Sequence, residues 1–375
     1  MLGLPGGLQG WWGRGPPWAG GLTVLVGVGM LAALPFGLSS FWKSVLVNVL
    51  LFALLALGLN TVVGFAGLLD LGYVAFYAIG TYTFAILTAG EYSKALFLRG
   101  GRGLPPLPAW ADWMWLLLLL AMAAAMVSGV ILGAPTLRLR GDYLAIVTLG
   151  FGEIVRIAAR NYDSFTVGPR GIISIPHPQV NLPGIRYDFG RESEGYYYLL
   201  LILTLLMVGV VLRLNNSRVG RAWAAIREDE VAAAAMGVPV VRMKLWAFAI
   251  GASTAGVAGA VQASRVSYVS PDTFVLLESI FILCMVVLGG MGSIAGSIIG
   301  AGVIVVAPEL LRVQAFQEYR FLVFGAVLVV MMIFRPQGLI PSRRRAVELK
   351  GEVREATLFG MRAAEGGTGG TDAAP

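Results

Sequence analysis

Apolar blocks of about twenty residues recur along this chain, and they leave few folds open. A helix rises about 1.5 Å per residue, so roughly 20 apolar residues cross a hydrocarbon core about 30 Å thick. Such blocks predict spans at 20–38, 44–66, 67–90, 113–134, 142–160, 196–213, 244–265, 275–290, 292–308 and 320–335. The stretches 44–90 and 275–308 are nearly continuous, interrupted only by glycine-rich turns, so either can hold a broken or re-entrant segment. Alternation over ten-residue segments, the mark of a transmembrane β-barrel, is missing. The expectation is an all-α polytopic membrane protein with about 8–10 transmembrane helices. Charged residues make up 13% of the chain, against about 25% in soluble domains, too few to cover a water-soluble surface.

The flanks differ from the spans. Residues 1–19 are Gly/Pro-rich, with Trp11 and Trp12 suited to a bilayer interface and no A-x-A site of a cleaved signal peptide. The expected permease domain covers 20–340, and the tail 341–375 ends in AAEGGTGGTDAAP, which cannot build a core. Putting both termini, 134–142 and 213–244 in the cytoplasm places 16 of the 28 Lys and Arg inside and 12 outside or in outer span ends. The run Arg343-Arg344-Arg345 argues most strongly for a cytoplasmic C-terminus. Because basic residues are spread over loops, the net charge of +7 reads as a topology signal rather than a nucleic-acid surface. The single Cys284 lies in an apolar block and the single His177 in a Pro-rich loop, so no transition-metal cluster is expected.

The most informative segment is NNSRVGRAWAAIREDEVAAAAMGVPVVRMK, residues 215–244. Asn215, Asn216 and Ser217 offer N-caps, and Val219, Ala222, Trp223 and Ile226 recur on one helical face with Arg218, Gly220, Arg221 and Arg227 around them. Glu228, Asp229 and Glu230 precede an Ala-rich stretch, where negative charge suits a helix N-terminus, and Gly237 and Pro239 supply the stop. One or two short amphipathic helices across the end of the bundle are expected. Ser217 to Ile226 is expected to present the apolar face and Arg227 to Glu230 a charged hinge. Pattern alone allows contact with lipid or with a partner protein.

Three further clusters stand inside spans. Asp70 lies between apolar runs, and a carboxylate at mid-bilayer costs about 2.5–3.5 kcal/mol on insertion scales, so it must cap a turn or face water or protein. Tyr73 and Tyr77 share a helix face, as do Phe76 and Gly80, giving a candidate aromatic wall for a translocation path. Glu153 and Arg156 stand at i, i+3 and can neutralise each other, while Glu278 has no partner legible in sequence. Gly292, Gly296 and Gly300 recur every four residues after Gly289 and Gly290, as do Gly251, Ala255 and Gly259 earlier, a spacing that lets helices approach closely.

A P-loop needs G-x-x-x-x-G-K-[ST]; Lys43, Lys94, Lys244 and Lys350 are the only lysines and none follows a glycine. No cofactor is expected on this chain, and any ATP must be used by another. The 215–244 segment resembles the cytoplasmic EAA-type loop of ABC importer permeases. The strings ALGLNTVVGFAGLLDLGYVAFYAIGTYTFAIL (56–87), LRLRGDYLAIVTLGFGEIVRI (137–157), FVLLESIFILCMVVLGGMGSIAGSIIGA (274–301) and FRPQGL (334–339) resemble the LivM-type permease of branched-chain amino-acid ABC importers. The first 40 residues and 176–195 fall outside that resemblance.

The resemblance implies an ABC importer permease fold in a bacterial or archaeal inner membrane, without an ATPase site of its own. It also implies a second related permease (LivH type), two cytoplasmic ATPase subunits (LivG/LivF type) and a periplasmic substrate-binding protein. The competing readings are a self-sufficient channel or ion-coupled carrier, which leaves the 215–244 loop without a job, and a membrane-embedded enzyme, for which no paired catalytic motif exists.

Overall fold

A computed structural model describes residues 29–88, 110–136, 142–173, 175–182, 185–190 and 193–310, with Gly27 and a few later positions including 338–340. Segments 1–19 and 341–375, residues 20–26 and 28 of the expected span 20–38, most of the expected span 320–335, and Arg343 to Arg345 lie outside the described residues. The helices are α1 (Ser40–Asn60), α2 (Tyr73–Thr88), α3 (Trp110–Thr136), α4 (Asp142–Asn161), α5 (Asp163–Thr166), α6 (Ser193–Asn215), α7 (Arg218–Glu228), α8 (Glu230–Ala235), α9 (Val240–Val266), α10 (Leu276–Gly289) and α11 (Ile294–Leu310). Five described segments are long and apolar enough to cross a membrane: Ser40–Phe65, Met114–Thr136, Glu194–Asn215, Val240–Val266 and Pro271–Gly289. Tyr73–Thr88 and Ile294–Leu310 are apolar but shorter. The chain is an all-α polytopic membrane protein.

Helix α9 sits at the centre because its sides are small. Gly251 lies under Val62 and Gly58 at the end of α1, Gly256 under Gly80 of α2 and Ala125 of α3, and Gly259 under Tyr77 and Thr81. These contacts also fix direction. α2 runs parallel to α9, whereas α1 is antiparallel: Gly58 meets Gly251 near one end, and Arg265 reaches Asn48 and Ser44 near the other.

The expected span 67–90 is helical only from Tyr73 onward. α1 unwinds through a π turn, Thr61–Phe65, and residues 66–72 form an irregular link. The Tyr73 hydroxyl donates to the Gly251 carbonyl at 3.0 Å, which lies about 16 Å along α9 from its first residue. α2 therefore begins part-way into the bundle. Irregular backbone at membrane depth is tolerated only where the protein satisfies it. Here side chains do so: Thr148 of α4 accepts from the Leu71 amide (3.1 Å), Asp70 from Gly72 (2.9 Å) and Ser279 of α10 from Val74 (3.0 Å).

α10 and α11 form a tight hairpin. A Cβ on Gly296 would stand 2.4 Å from the Gly289 carbonyl oxygen, and one on Gly300 would stand 2.1 Å from that of Met285. Gly292 is not a rung of this packing. It lies in the turn before α11 with φ +77, a left-handed conformation that side chains disfavour, and its amide donates to Asn60 Oδ1 at 2.8 Å. Residues 338–340 run beside the end of α10, where the Leu339 and Ile340 amides satisfy the Leu288 and Gly289 carbonyls at 2.8 and 2.9 Å. At the opposite end β1 (Ile172–Ile173) pairs antiparallel with β4 (Tyr268–Val269), and β2 (Gln179–Leu182) pairs with β3 (Ile185–Asp188) as a hairpin.

Candidate coupling surface and path residues

The 215–244 loop folds as two helices for the local reasons its sequence contains. Ser217 caps α7 by accepting from the Val219 and Gly220 amides, and Asp229 caps α8 by accepting from Val231 (2.8 Å) and Ala232 (3.0 Å). Gly237, at φ +84, ends the pair. The apolar face of α7, whose direction the sequence left open, turns inward. Trp223 and Ile226 are buried against the chain's own bundle, and the Trp223 indole donates to the Met243 carbonyl at 2.7 Å. Gly220 packs on the end of α6, where a Cβ would stand 2.4 Å from the Leu214 and Asn215 carbonyl oxygens. Arg218 and Arg221 stay exposed, and Ala222 is half-buried. The outward apolar surface lies on α8 and the residue that follows it, where Val231 is 60% and Met236 85% exposed.

Two contacts bind this pair to the bundle. Glu230 forms an ion pair at 2.8 Å with Lys244, whose side chain is buried at the start of α9. Removing one partner of a buried pair costs about 3–5 kcal/mol. Glu230 retains 29% side-chain exposure, so Glu230→Ala is expected to cost about 2 kcal/mol. A lowered Tm of the detergent-purified complex, recovered in the double variant with Lys244→Met, is the result that checks it.

Arg227 makes the second contact. Its guanidinium donates to the Gly64 carbonyl at 2.7 Å, inside the π turn that ends α1. Its stem lies on Gly67, where a Cβ would stand 2.8 Å from it, and Nη1 would stand 3.3 Å from a Cβ on Gly292. Asn60, fully buried, accepts from the Gly292 amide and donates to the Ser293 carbonyl at 3.3 Å. Arg227 thus joins the C-terminal end of α7, the unwound end of α1 and the α10–α11 turn at one point. Glu228 and Asp229, beside it, are exposed.

The path candidates separate into two kinds. Tyr73, Phe76 and Tyr77 are buried and packed in aromatic contacts: Tyr73 with Phe76 (centroids 6.3 Å), Phe76 with Phe151 (5.8 Å) and Tyr77 with Phe274 (5.4 Å). Asp70 is also fully buried, its Oδ1 capping the link and its Oδ2 without a hydrogen-bond partner among the described residues. It caps the turn before α2 inside the bundle rather than at its end. Glu153 and Glu278 are different, each half-exposed. Glu153 accepts from Arg156 Nε at 3.1 Å, and Arg156 and Arg160 each approach Asp272 at 3.9 Å. The buried three aromatics thus form packing around the start of α2, while the carboxylates of α4 and α10 lie at its flanks.

Residues 41–332 match the family described as branched-chain amino acid transport system, permease component. This chain belongs to that permease family. The LivM permease of the high-affinity branched-chain amino acid transport system of Salmonella typhimurium (strain LT2) is 43% identical over 336 residues, covering 85% of this chain and 74% of the relative. LivM of Escherichia coli (strain K12) is 43% identical over 339 residues, covering 86% and 75%. The Salmonella typhimurium (strain LT2) LivH permease is 26% identical over 296 residues, covering 77% and 91%. No solved structure matches. The permease-family match takes in both the α7–α8 pair and the α1–α2 break, and it includes 176–195 while leaving out the first 40 residues. Sequence reasoning missed Asn60, Thr148, Lys244 and Ser279. Asn60 and Lys244 had a signal, each being a polar group in an apolar block. Thr148 and Ser279 had none, because small hydroxyl residues occur throughout membrane helices, usually bonded to their own backbone.

Proposed function

We propose that this chain is the membrane-spanning permease subunit of an ABC importer for branched-chain amino acids. It works with a second related permease, two ATPase subunits that use the ATP, and a substrate-binding protein on the opposite side. The names of the LivM and LivH relatives, all permeases of branched-chain amino acid transport systems, support the substrate class. The end bearing α7, α8 and 338–340 is the cytoplasmic one, in keeping with its Lys and Arg.

The observation that carries the coupling role is the Arg227 junction. The exposed apolar surface of α8 and the residue that follows it (Val231, Met236) and the charges of Arg218, Arg221 and Glu228 offer a docking surface for an ATPase. A push there reaches the bundle through buried Trp223 and through Arg227 on the Gly64 carbonyl. Gly64 lies in the π turn, beside the link that leads to α2, and single π turns inside helices are frequent at functional sites. Motion of that link moves Asp70, Tyr73 and the aromatic packing of Phe76 and Tyr77. In this reading the aromatic wall is closed at rest and its opening is the ATP-driven event.

Reconstituted vesicles holding the full complex test the proposal with labelled leucine, urea and a short amide. ATP-dependent leucine uptake that needs the binding protein is the expected result. Leucine flux through this chain alone, without ATP, would instead support a self-sufficient carrier.

A further inference from the structure

We propose that the side of the bundle formed by α4 and α10 is where the second permease packs, with Glu153, Arg156 and Glu278 facing the path between the two chains. The proposal rests on the reading of this chain as one of a permease pair.

The outward faces of the long helices are unlike one another. α3 turns Leu119, Val127 and Ile131 outward, and α6 turns Ile202, Leu206 and Val210 outward. No Asp, Glu, Lys, Arg or His stands between Met114 and Thr136 or between Glu194 and Arg213. Those two faces suit lipid. On α4 and α10 the exposed apolar residues, Ile154 (65%), Ile157 (46%), Leu277 (54%) and Ile280 (38%), stand beside ionisable ones. Glu153 and Arg156 keep 40% and 22% of their side chains exposed, and Glu278 is half-exposed with no ion pair among the described residues.

Depth makes the difference decisive. Gly152 packs 3.4 Å from Gly72 and 4.0 Å from Val74, measured from an added Cβ, and Ser279 bonds the Val74 amide. Glu153 and Glu278, each next in sequence to one of these, therefore stand at the level where α2 begins, inside the bundle's length rather than at its rim. An ionised group facing hydrocarbon at such depth costs about 2.5–3.5 kcal/mol, and such groups face protein or water instead. The Glu153–Arg156 pair lowers that cost without removing it, and Glu278 has no such pair among the described residues. A surface with apolar ridges beside half-exposed charge at mid-depth fits a partner helix bundle that encloses water, not lipid. The occupant is a chain of the same fold, since LivH-type permeases align with 77% of this one. Such a pair closes about a pseudo-two-fold axis, each chain offering the equivalent face.

The test places p-benzoylphenylalanine at Ile154 or Leu277, and at Val127 or Ile202 for comparison. It is done in the full complex in its own membrane, in preparations where the ATPases copurify with the chain. Illumination is expected to give an adduct between this chain and the second permease several-fold more strongly from Ile154 and Leu277 than from Val127 and Ile202. Partner adducts from Val127 or Ile202, with only lipid adducts from Ile154 and Leu277, would overturn this face while leaving the permease pair intact. A native mass for the complex that holds a single permease chain would overturn the pairing itself.

Discussion

Arg227→Glu is expected to leave the chain inserted and the complex assembled, yet to cut uptake per ATP hydrolysed about ten- to a hundred-fold, since a hydrogen bond from a charged group contributes about 1.5–3 kcal/mol. Arg227 holds no lipid-facing or core position whose loss would unfold α7. That helix is anchored independently by Ser217, by the Trp223 indole on the Met243 carbonyl and by Gly220 against the end of α6. What the substitution removes is the bond to Gly64, and it sets a carboxylate against that carbonyl oxygen instead. ATP hydrolysis continues because its machinery is on other chains. Glu228→Arg is the matched comparison: Glu228 is exposed and outside the junction, so a defect there reports on docking alone. An unchanged ratio of leucine uptake to ATP hydrolysis in reconstituted vesicles carrying Arg227→Glu would show that the junction transmits nothing.

The α7–α8 pair was legible in the sequence because caps and helical period are local properties. Ser217, Asp229 and Gly237 act within a few residues of themselves, so their roles follow from their neighbours. The direction of the apolar face was not legible. Trp223 and Ile226 give the same period whether the helix lies on lipid, on an ATPase or on its own bundle, and only the tertiary structure turns them inward. The spans were legible from hydropathy, and so was the room for a broken segment within 44–90, but its place at 66–72 was not. Ala, Gly and Leu continue across it without a polar signal apart from Asp70, while the groups that make the break tolerable, Thr148 and Ser279, come from distant helices. Gly292 shows the limit of spacing arguments. It keeps the four-residue period of Gly296 and Gly300, yet its positive φ puts it in a turn that receives Asn60.

The same comparison separates glycines that are needed from those that are merely present, and it sets the second large effect. Gly296→Leu is expected to deplete the folded chain from the membrane, because the added Cβ would stand 2.4 Å from the Gly289 carbonyl oxygen and 2.9 Å from its carbon. The obstacle is backbone rather than the movable end of a side chain, so relief requires α10 and α11 to separate. That separation would break the close packing of Gly300 on Met285 as well. It would also move the turn holding Gly292 and Ser293, and with it the Asn60 bridge to α1. Overpacking in a tight core costs about 1–3 kcal/mol, and more where backbones must shift. Gly209→Leu, on α6 with nothing within 4 Å of its added Cβ, is expected to be accepted. Folded protein is read as the monodisperse fraction after detergent extraction, with both variants made side by side. Equal recovery of the two would mean that α10 and α11 have room between them and that the hairpin does not hold the Arg227 junction in place. Loss of Gly296→Leu alone would tie the coupling end of the bundle to one point of backbone contact.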